Sequence, residues 1–318
     1  FLLSKKASPT TLYGGFGPIM AACSQGRMGV LGKLFQAIGR EEKDCILNYA
    51  FSKKLDSPLE GTGIRSLAWY AIQSNDREVL NYLFDNYPAC YEVVNEHENT
   101  ILHDALEASS QKAIDFFLGR CFKPDYWLKG NYKGKTPLMI ACARGDFDAI
   151  SSILESDFLD SKTLLSAIDF TSKTVLMCAI QGGNLPSVNH LLTFEVVKAS
   201  INQVDDDANS ALMLAAEKGR LDLVAALLDS GSDVRLQNNF GRTALMLACY
   251  SEEESVALHL YDHRVLSAED VQGRTVLHYA AYHGMSRLAS RLLGDQVEPD
   301  PVADNNATPL ILACQENH

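Results

Sequence analysis

The sequence has no CxxC pair, although it carries 8 cysteines among 318 residues. That removes the usual zinc-ribbon and thioredoxin-type patterns. Most of the cysteines (Cys23, Cys45, Cys90, Cys121, Cys142, Cys178, Cys249 and Cys314) sit within apolar stretches. There cysteine acts as a small buried hydrophobe. Such usage fits a reducing intracellular compartment better than a disulfide framework. A basic excess is also missing: 28 Lys and Arg stand against 40 Asp and Glu, giving a formal net charge of −12. Nucleic-acid binders draw most of their affinity from phosphate contacts, so the balance argues against DNA and RNA. No apolar run approaches the roughly 18–20 residues that span a bilayer, so no membrane insertion is expected. Phe1-Leu2-Leu3 runs straight into Ser4-Lys5-Lys6 and does not make a signal peptide. The first residue is not Met, and the chain is expected to be part of a longer protein.

Catalytic patterns are absent too. Gly14-Gly15-Phe16-Gly17 has no following Lys-Ser/Thr and is a poor phosphate loop. His259 and His263 could share a helix face, but no third ligand is placed to complete a metal site. Asp205-Asp206-Asp207 lacks the liganding alternation and closing Glu of a calcium loop. No nucleophile is paired with a base and an orienting group. The sequence therefore predicts no catalytic residue, no cofactor and no metal.

What is present is a repeat. Thr136-Pro137-Leu138-Met139-Ile140-Ala141 returns as Thr174 to Ala179, Ser210 to Ala215, Thr243 to Ala248, Thr275 to Ala280 and Thr308 to Ala313. Thr100 to Ala105 belongs to the series, and Ser66 to Ala71 and Gly17 to Ala22 are weaker members. With the Thr, Ser or Gly as position zero, repeats start near residues 17, 66, 100, 136, 174, 210, 243, 275 and 308. Position +5 is alanine throughout, and position +9 is glycine at Gly26, Gly145, Gly183, Gly219 and Gly284. A large apolar pair recurs at +17 and +18, as in Ile153-Leu154 and Leu227-Leu228.

Each recurring residue has a physical reason. Thr or Ser at zero caps a first helix by accepting a backbone N–H. Pro137 and Pro309 follow at the first helical position, where a missing N–H costs nothing. Alanine at +5 lets helices approach closely. Glycine at +9 permits a left-handed turn between helices. A second helix then buries +13, +14, +17 and +18, as with Leu223, Val224, Leu227 and Leu228.

These residues resemble the ankyrin-repeat family over about residues 17–318. The resemblance implies an all-α ankyrin-repeat solenoid: stacked helix-turn-helix repeats with hairpin-like fingers, in one domain over 1–318 whose last repeat is truncated. It also implies a concave face that binds protein partners. Three departures stand out. The family histidine at +3, which hydrogen-bonds between fingers, remains only as His103 and His278, which is expected to loosen that network. Residues 38–65 form an insert, with a helix expected over Glu41 to Lys54 and a loop over Leu55 to Gly63. Glu252-Glu253-Glu254 occupies the turn after Thr243, where a different turn is expected.

A solenoid recognises partners through variable exposed positions on a repeated frame. In this register the finger positions supply Tyr132, Lys133, Lys135, Phe170, Thr171, Lys173, Asp206, Asp207, Asn209, Asn239, Phe240, Arg242, Val271, Gln272 and Arg274. The first-helix ends supply Arg144, Gln181, Glu217, Lys218, Tyr250, Tyr282 and His283. The set is enriched in aromatic and cationic residues although the whole chain is acidic, and exposed Tyr, Phe and Arg are common interface anchors. Its aromatic and cationic members, Lys218 aside, are the twelve residues expected to bind the partner. The expected role is a scaffold or adaptor that binds another protein, with an acidic or mixed segment as ligand. The alternative role is the targeting module of a larger enzyme or a secreted effector. Cytoplasmic location is expected, in a host cell for an effector. The alternative for the surface is that the cations solubilise the fingers while the rings pack against neighbouring fingers.

Overall fold

The computed structural model describes residues 17–38, 67–92, 94–120 and 122–318. The insert expected at 38–65 lies outside the described residues apart from Ile38, as do Cys45, Cys121 and Gly14 to Phe16. The described chain forms two compact bodies. One comprises the residues up to Ala141 with Asp148–Leu164; the other comprises Cys142–Phe147 with Leu165–His318.

In the N-terminal body, helices pair in sequence order. They are α1 (Pro18–Ser24), α2 (Met28–Ala37), α3 (Leu67–Ser74), α4 (Arg77–Asn86), α5 (Ile101–Glu107) and α6 (Gln111–Gly119), followed by the short α7 (Pro124–Leu128). α8 (Pro137–Arg144) and α9 (Phe147–Leu154) have residues in both bodies, and α10 (Ser161–Leu165) follows. First helices α1, α3 and α5 stack on one another, and second helix α4 packs on α6. The core here is aromatic: the rings of Phe84, Tyr91, Phe116, Phe117 and Phe122 interlock at centroid separations from 5.3 to 6.5 Å. Buried polar atoms on large rings need partners. The Tyr91 hydroxyl donates to the Leu80 carbonyl and the Trp127 indole N–H to the Phe122 carbonyl.

The C-terminal body repeats the plan in two layers. First helices α11 (Val175–Gly182), α14 (Ala211–Glu217), α16 (Ala244–Tyr250), α18 (Val276–Tyr282) and α20 (Pro309–Glu316) stack in one layer. Second helices α12 (Leu185–Leu191), α15 (Leu221–Asp229), α17 (Glu254–His259) and α19 (Ser286–Gly294) stack in the other, with the short α13 (Glu195–Ala199) after α12.

The recurring residues act as their chemistry requires. Hydroxyls of Thr136, Thr174, Ser210, Thr243 and Thr308 accept the backbone N–H three residues on. Ala71, Ala105, Ala141, Ala179, Ala215, Ala248 and Ala280 are buried. Leu223, Val224 and Leu227 are fully covered, each burial stabilising by about 1.5–3 kcal/mol. Position +18 is less uniform than the pattern predicts: Leu154 and Leu192 are buried, Leu228 is half-buried and Leu293 is exposed.

The turn after Thr243 is not different, contrary to expectation. Glu252 takes φ 56°, the same left-handed conformation as Gly219 at 67° and Gly284 at 64°. Asn75, Ser109 and Asn317 take it as well, so every repeat uses a left-handed residue at +9 whether or not it is glycine. The fixed distance between two packed helices dictates the turn, and the side chain bears the steric cost. Among the described residues no helix is long and apolar enough to cross a membrane.

Candidate interaction surface

The fingers are built by a device at position −5. Asn95, Asn131, Asp169, Asp205, Asn238 and Asp270 recur there, and each donates its backbone N–H to the carbonyl of position −1. Each side-chain oxygen then accepts two backbone N–H groups, at −3 and −1. This is the Asx turn that Asn and Asp favour. It also explains Asp205-Asp206-Asp207 as a finger rather than a cation loop. Successive fingers are laced by backbone: Tyr132 N–H donates to His97 O, Asp206 to Thr171, Asn239 to Asp207, Val271 to Phe240 and Asp304 to Gln272, all at 2.9–3.1 Å.

The two family histidines add to this lacing. Nδ1 of His103 accepts the Thr100 backbone N–H, and Nε2 reaches the Lys135 carbonyl at 2.8 Å. His278 does the same with Thr275 and Ala307. A methionine at +3 cannot make this side-chain bond. Fingers whose repeats carry Met213 and Met246 keep the backbone bond. Burial lowers the His103 pKa to about 4, so the ring is neutral at pH 7. Burial pushes the Cys23 and Cys249 thiols up to about 12, away from the nucleophilic thiolate.

The structure brings together six of the twelve residues singled out from sequence. The Arg242 guanidinium lies 5.3 Å from the Phe240 ring centre and 5.1 Å from that of Tyr250. Tyr250 meets His283 at 5.4 Å, and His283 meets Tyr282 at 4.9 Å. Tyr250 also meets Tyr279 at 5.6 Å, over which Arg274 lies at 5.0 Å. Phe240, Tyr250 and Tyr282 are 51%, 42% and 43% exposed, far more than a ring packed against a neighbouring finger needs to be.

Tyr279, Asp270 and Glu252 complete the cluster and were not anticipated. The Tyr279 hydroxyl donates to Asp270 Oδ2 at 2.5 Å, and Arg274 bridges the same oxygen. Burial alone would raise the Asp270 pKa, but the Tyr279, Arg274 and backbone donors hold it below the usual range. Burial lowers the His283 pKa, opposed by Glu252 at 3.7 Å. The Asx pattern at −5 marked Asp270 in the sequence. Its second duty toward Tyr279 and Arg274 needs the folded register.

The other six stand apart from this cluster. Tyr132, 48% exposed, packs on His97 and under Lys133 Nζ. Lys135 contributes its backbone carbonyl to His103. Phe170 is 75% exposed, and Lys173 is half-buried in the same finger. Arg144 is exposed at the end of α8.

The family model for ankyrin repeats (3 copies) matches residues 67–163, 120–205, 176–268 and 212–301. The chain belongs to the ankyrin-repeat family, and its fold is the all-α ankyrin-repeat solenoid, a protein-interaction module. The chain is 44% identical over 112 residues to a probable E3 ubiquitin-protein ligase XBOS33 of Oryza sativa subsp. japonica, covering 34% of this chain and 22% of that protein. It is 39% identical over 107 residues to the E3 ubiquitin-protein ligase XBAT33 of Arabidopsis thaliana, covering 33% and 21%. A Caenorhabditis elegans homologue of transient receptor potential cation channel subfamily A member 1 is 25% identical over 183 residues, covering 58% and 14%. The chain thus spans about a fifth of the length of the first two relatives. What those ligases and that channel do belongs to them.

Proposed function

We propose that this chain is a scaffold or adaptor segment that binds a partner protein through the surface formed by Phe240, Arg242, Tyr250, Tyr282 and His283. The observation that carries the reading is a set of three exposed aromatic rings, Phe240 and Tyr250 against Arg242 and Tyr282 against His283, in an otherwise acidic chain. Such anchors supply most interface energy when a partner covers them. The ligand is an acidic or mixed segment. Phe170, Lys173 and Arg144 add to the surface within the C-terminal body, and Tyr132 with Lys133 and Lys135 offers a further fingertip on the N-terminal body.

A second reading is that the array is the targeting module of a larger enzyme. It is favoured by the two relatives named as E3 ubiquitin-protein ligases, which share the repeat over only part of their length. Affinity capture from lysate with the parent chain and with a Phe240→Ala, Tyr250→Ala, Tyr282→Ala variant tests the surface. The expected result is a partner held by the parent and lost by the variant at unchanged helicity. Equal capture by both would overturn the assignment of the surface.

A further inference from the structure

We infer that Arg242 anchors an aspartate or glutamate side chain of the protein partner. The inference rests on reading the aromatic cluster as the binding surface, and adds which group is recognised and by which residue.

Arg242 and Arg274 occupy the same position, −1, in neighbouring repeats, yet their surroundings differ. Arg274 is closed within its own repeat. Its Nε and Nη2 reach Asp270 Oδ2 at 2.9 and 2.8 Å, and Nη2 also donates to the Tyr279 hydroxyl at 3.1 Å. Arg242 has neither group. Asn238 replaces Asp270 at −5, and it carries no charge. Its amide donates to Asn209, while its oxygen is occupied by the finger backbone. Leu247 replaces Tyr279 at +4.

The Arg242 guanidinium therefore makes no hydrogen bond or ion pair among the described residues, and its Nε is buried without a partner. A buried donor left unpaired is destabilising and calls for an explanation. The nearby carboxylates do not supply one. Asp270 is taken by Arg274 and Tyr279, and Glu252 faces His283. The result is an uncompensated cation in a chain of net charge −12.

A guanidinium beside aromatic rings keeps its edge free for a planar carboxylate, and the rings exclude water from the pair. Phe240 and Val271, 51% and 62% exposed, offer apolar contact to the residues flanking that carboxylate. A partner segment with one acidic residue beside an aliphatic or aromatic one fits this arrangement.

The test is selection of a displayed random-peptide library on the intact chain, followed by a double-mutant cycle on the peptides obtained. Selected peptides are expected to share one acidic position, and its replacement by Asn or Gln should weaken binding to the parent about tenfold or more. The same replacement should change binding to Arg242→Gln less than twofold. Arg242→Lys should recover part of the affinity, and thermal melts should show both variants folded. A selection that yields no shared acidic position overturns the inference, as does an acidic residue whose loss costs the same on Arg242→Gln as on the parent. If peptides depend on Phe240, Tyr250 and Tyr282 but not on Arg242, the surface stands and the anchor falls. If they depend on none of the four, both fall.

Discussion

Gly182 sits against the carbonyl of Cys142 so closely that a Cβ there would overlap its oxygen and stand 2.8 Å from the Gly145 nitrogen. The neighbouring atoms are backbone and cannot swing aside. Alanine is normally the better helix former by about 1 kcal/mol. Here overpacking outweighs that gain, and Gly182→Ala should lose about 2 kcal/mol of stability. Gly119→Ala, also helical but with open space around it, should be neutral or slightly stabilising. Urea unfolding of the two variants checks the contrast.

Glu252 offers the reverse experiment. Its left-handed φ costs a residue with a Cβ about 1–2 kcal/mol, which glycine escapes at a smaller entropic cost. Glycine gives up the exposed approach of the Glu252 carboxylate to His283, an interaction worth little. Glu252→Gly should raise the melting temperature, by the equivalent of about 0.5–1 kcal/mol.

His103 makes stability depend on pH. Its folded pKa of about 4 lies below the unfolded value of 6.5, so the unfolded chain binds the extra proton between those values. Its contribution is complete above pH 6.5 and is lost as pH falls toward 4, with an upper bound of about 3 kcal/mol. His103→Met installs the residue that neighbouring repeats use. Between pH 7 and pH 4.5 the variant should lose less stability than the parent, although it starts lower because the Lys135 carbonyl loses its donor. Chemical denaturation at both pH values measures the difference.

Tyr279→Phe removes the hydroxyl shared by Asp270 and Arg274. Asp270 retains its pairing with Arg274 and its backbone donors, so the fold should survive with a loss of about 1–3 kcal/mol. Partner affinity should change far less than in Arg242→Gln, because the Tyr279 ring is buried. Melting and binding measured on the same sample separate the two effects.

The repeat was legible because it recurs in register, and a capping hydroxyl, a buried alanine and an apolar pair each leave a one-residue signature. The left-handed +9 turn was legible only where glycine fills it. Asn75, Ser109, Glu252 and Asn317 adopt it under compulsion from the packed helices, and no local preference of Glu announces that. The surface was half legible. Register placed Phe240, Tyr250 and Tyr282 at exposed positions, with Arg242 half-buried beside Phe240 and Tyr250. It could not show that Arg274, identical in type and position to Arg242, is occupied by Asp270, since that depends on three side chains converging from the finger and the helix behind it.

The lacing of the fingers by backbone bonds and by the Asx residue at −5 separates two demands that most surfaces confound. The Phe240 ring and the Arg242 guanidinium take no part in the hydrogen bonds that hold their finger. A change of Phe240 or Arg242 can rewrite what is recognised without unpicking Asn238 or the Val271-to-Phe240 backbone bond. Single substitutions at the fingertips are therefore open to selection for a new ligand while the array stays folded, and related chains should diverge fastest there.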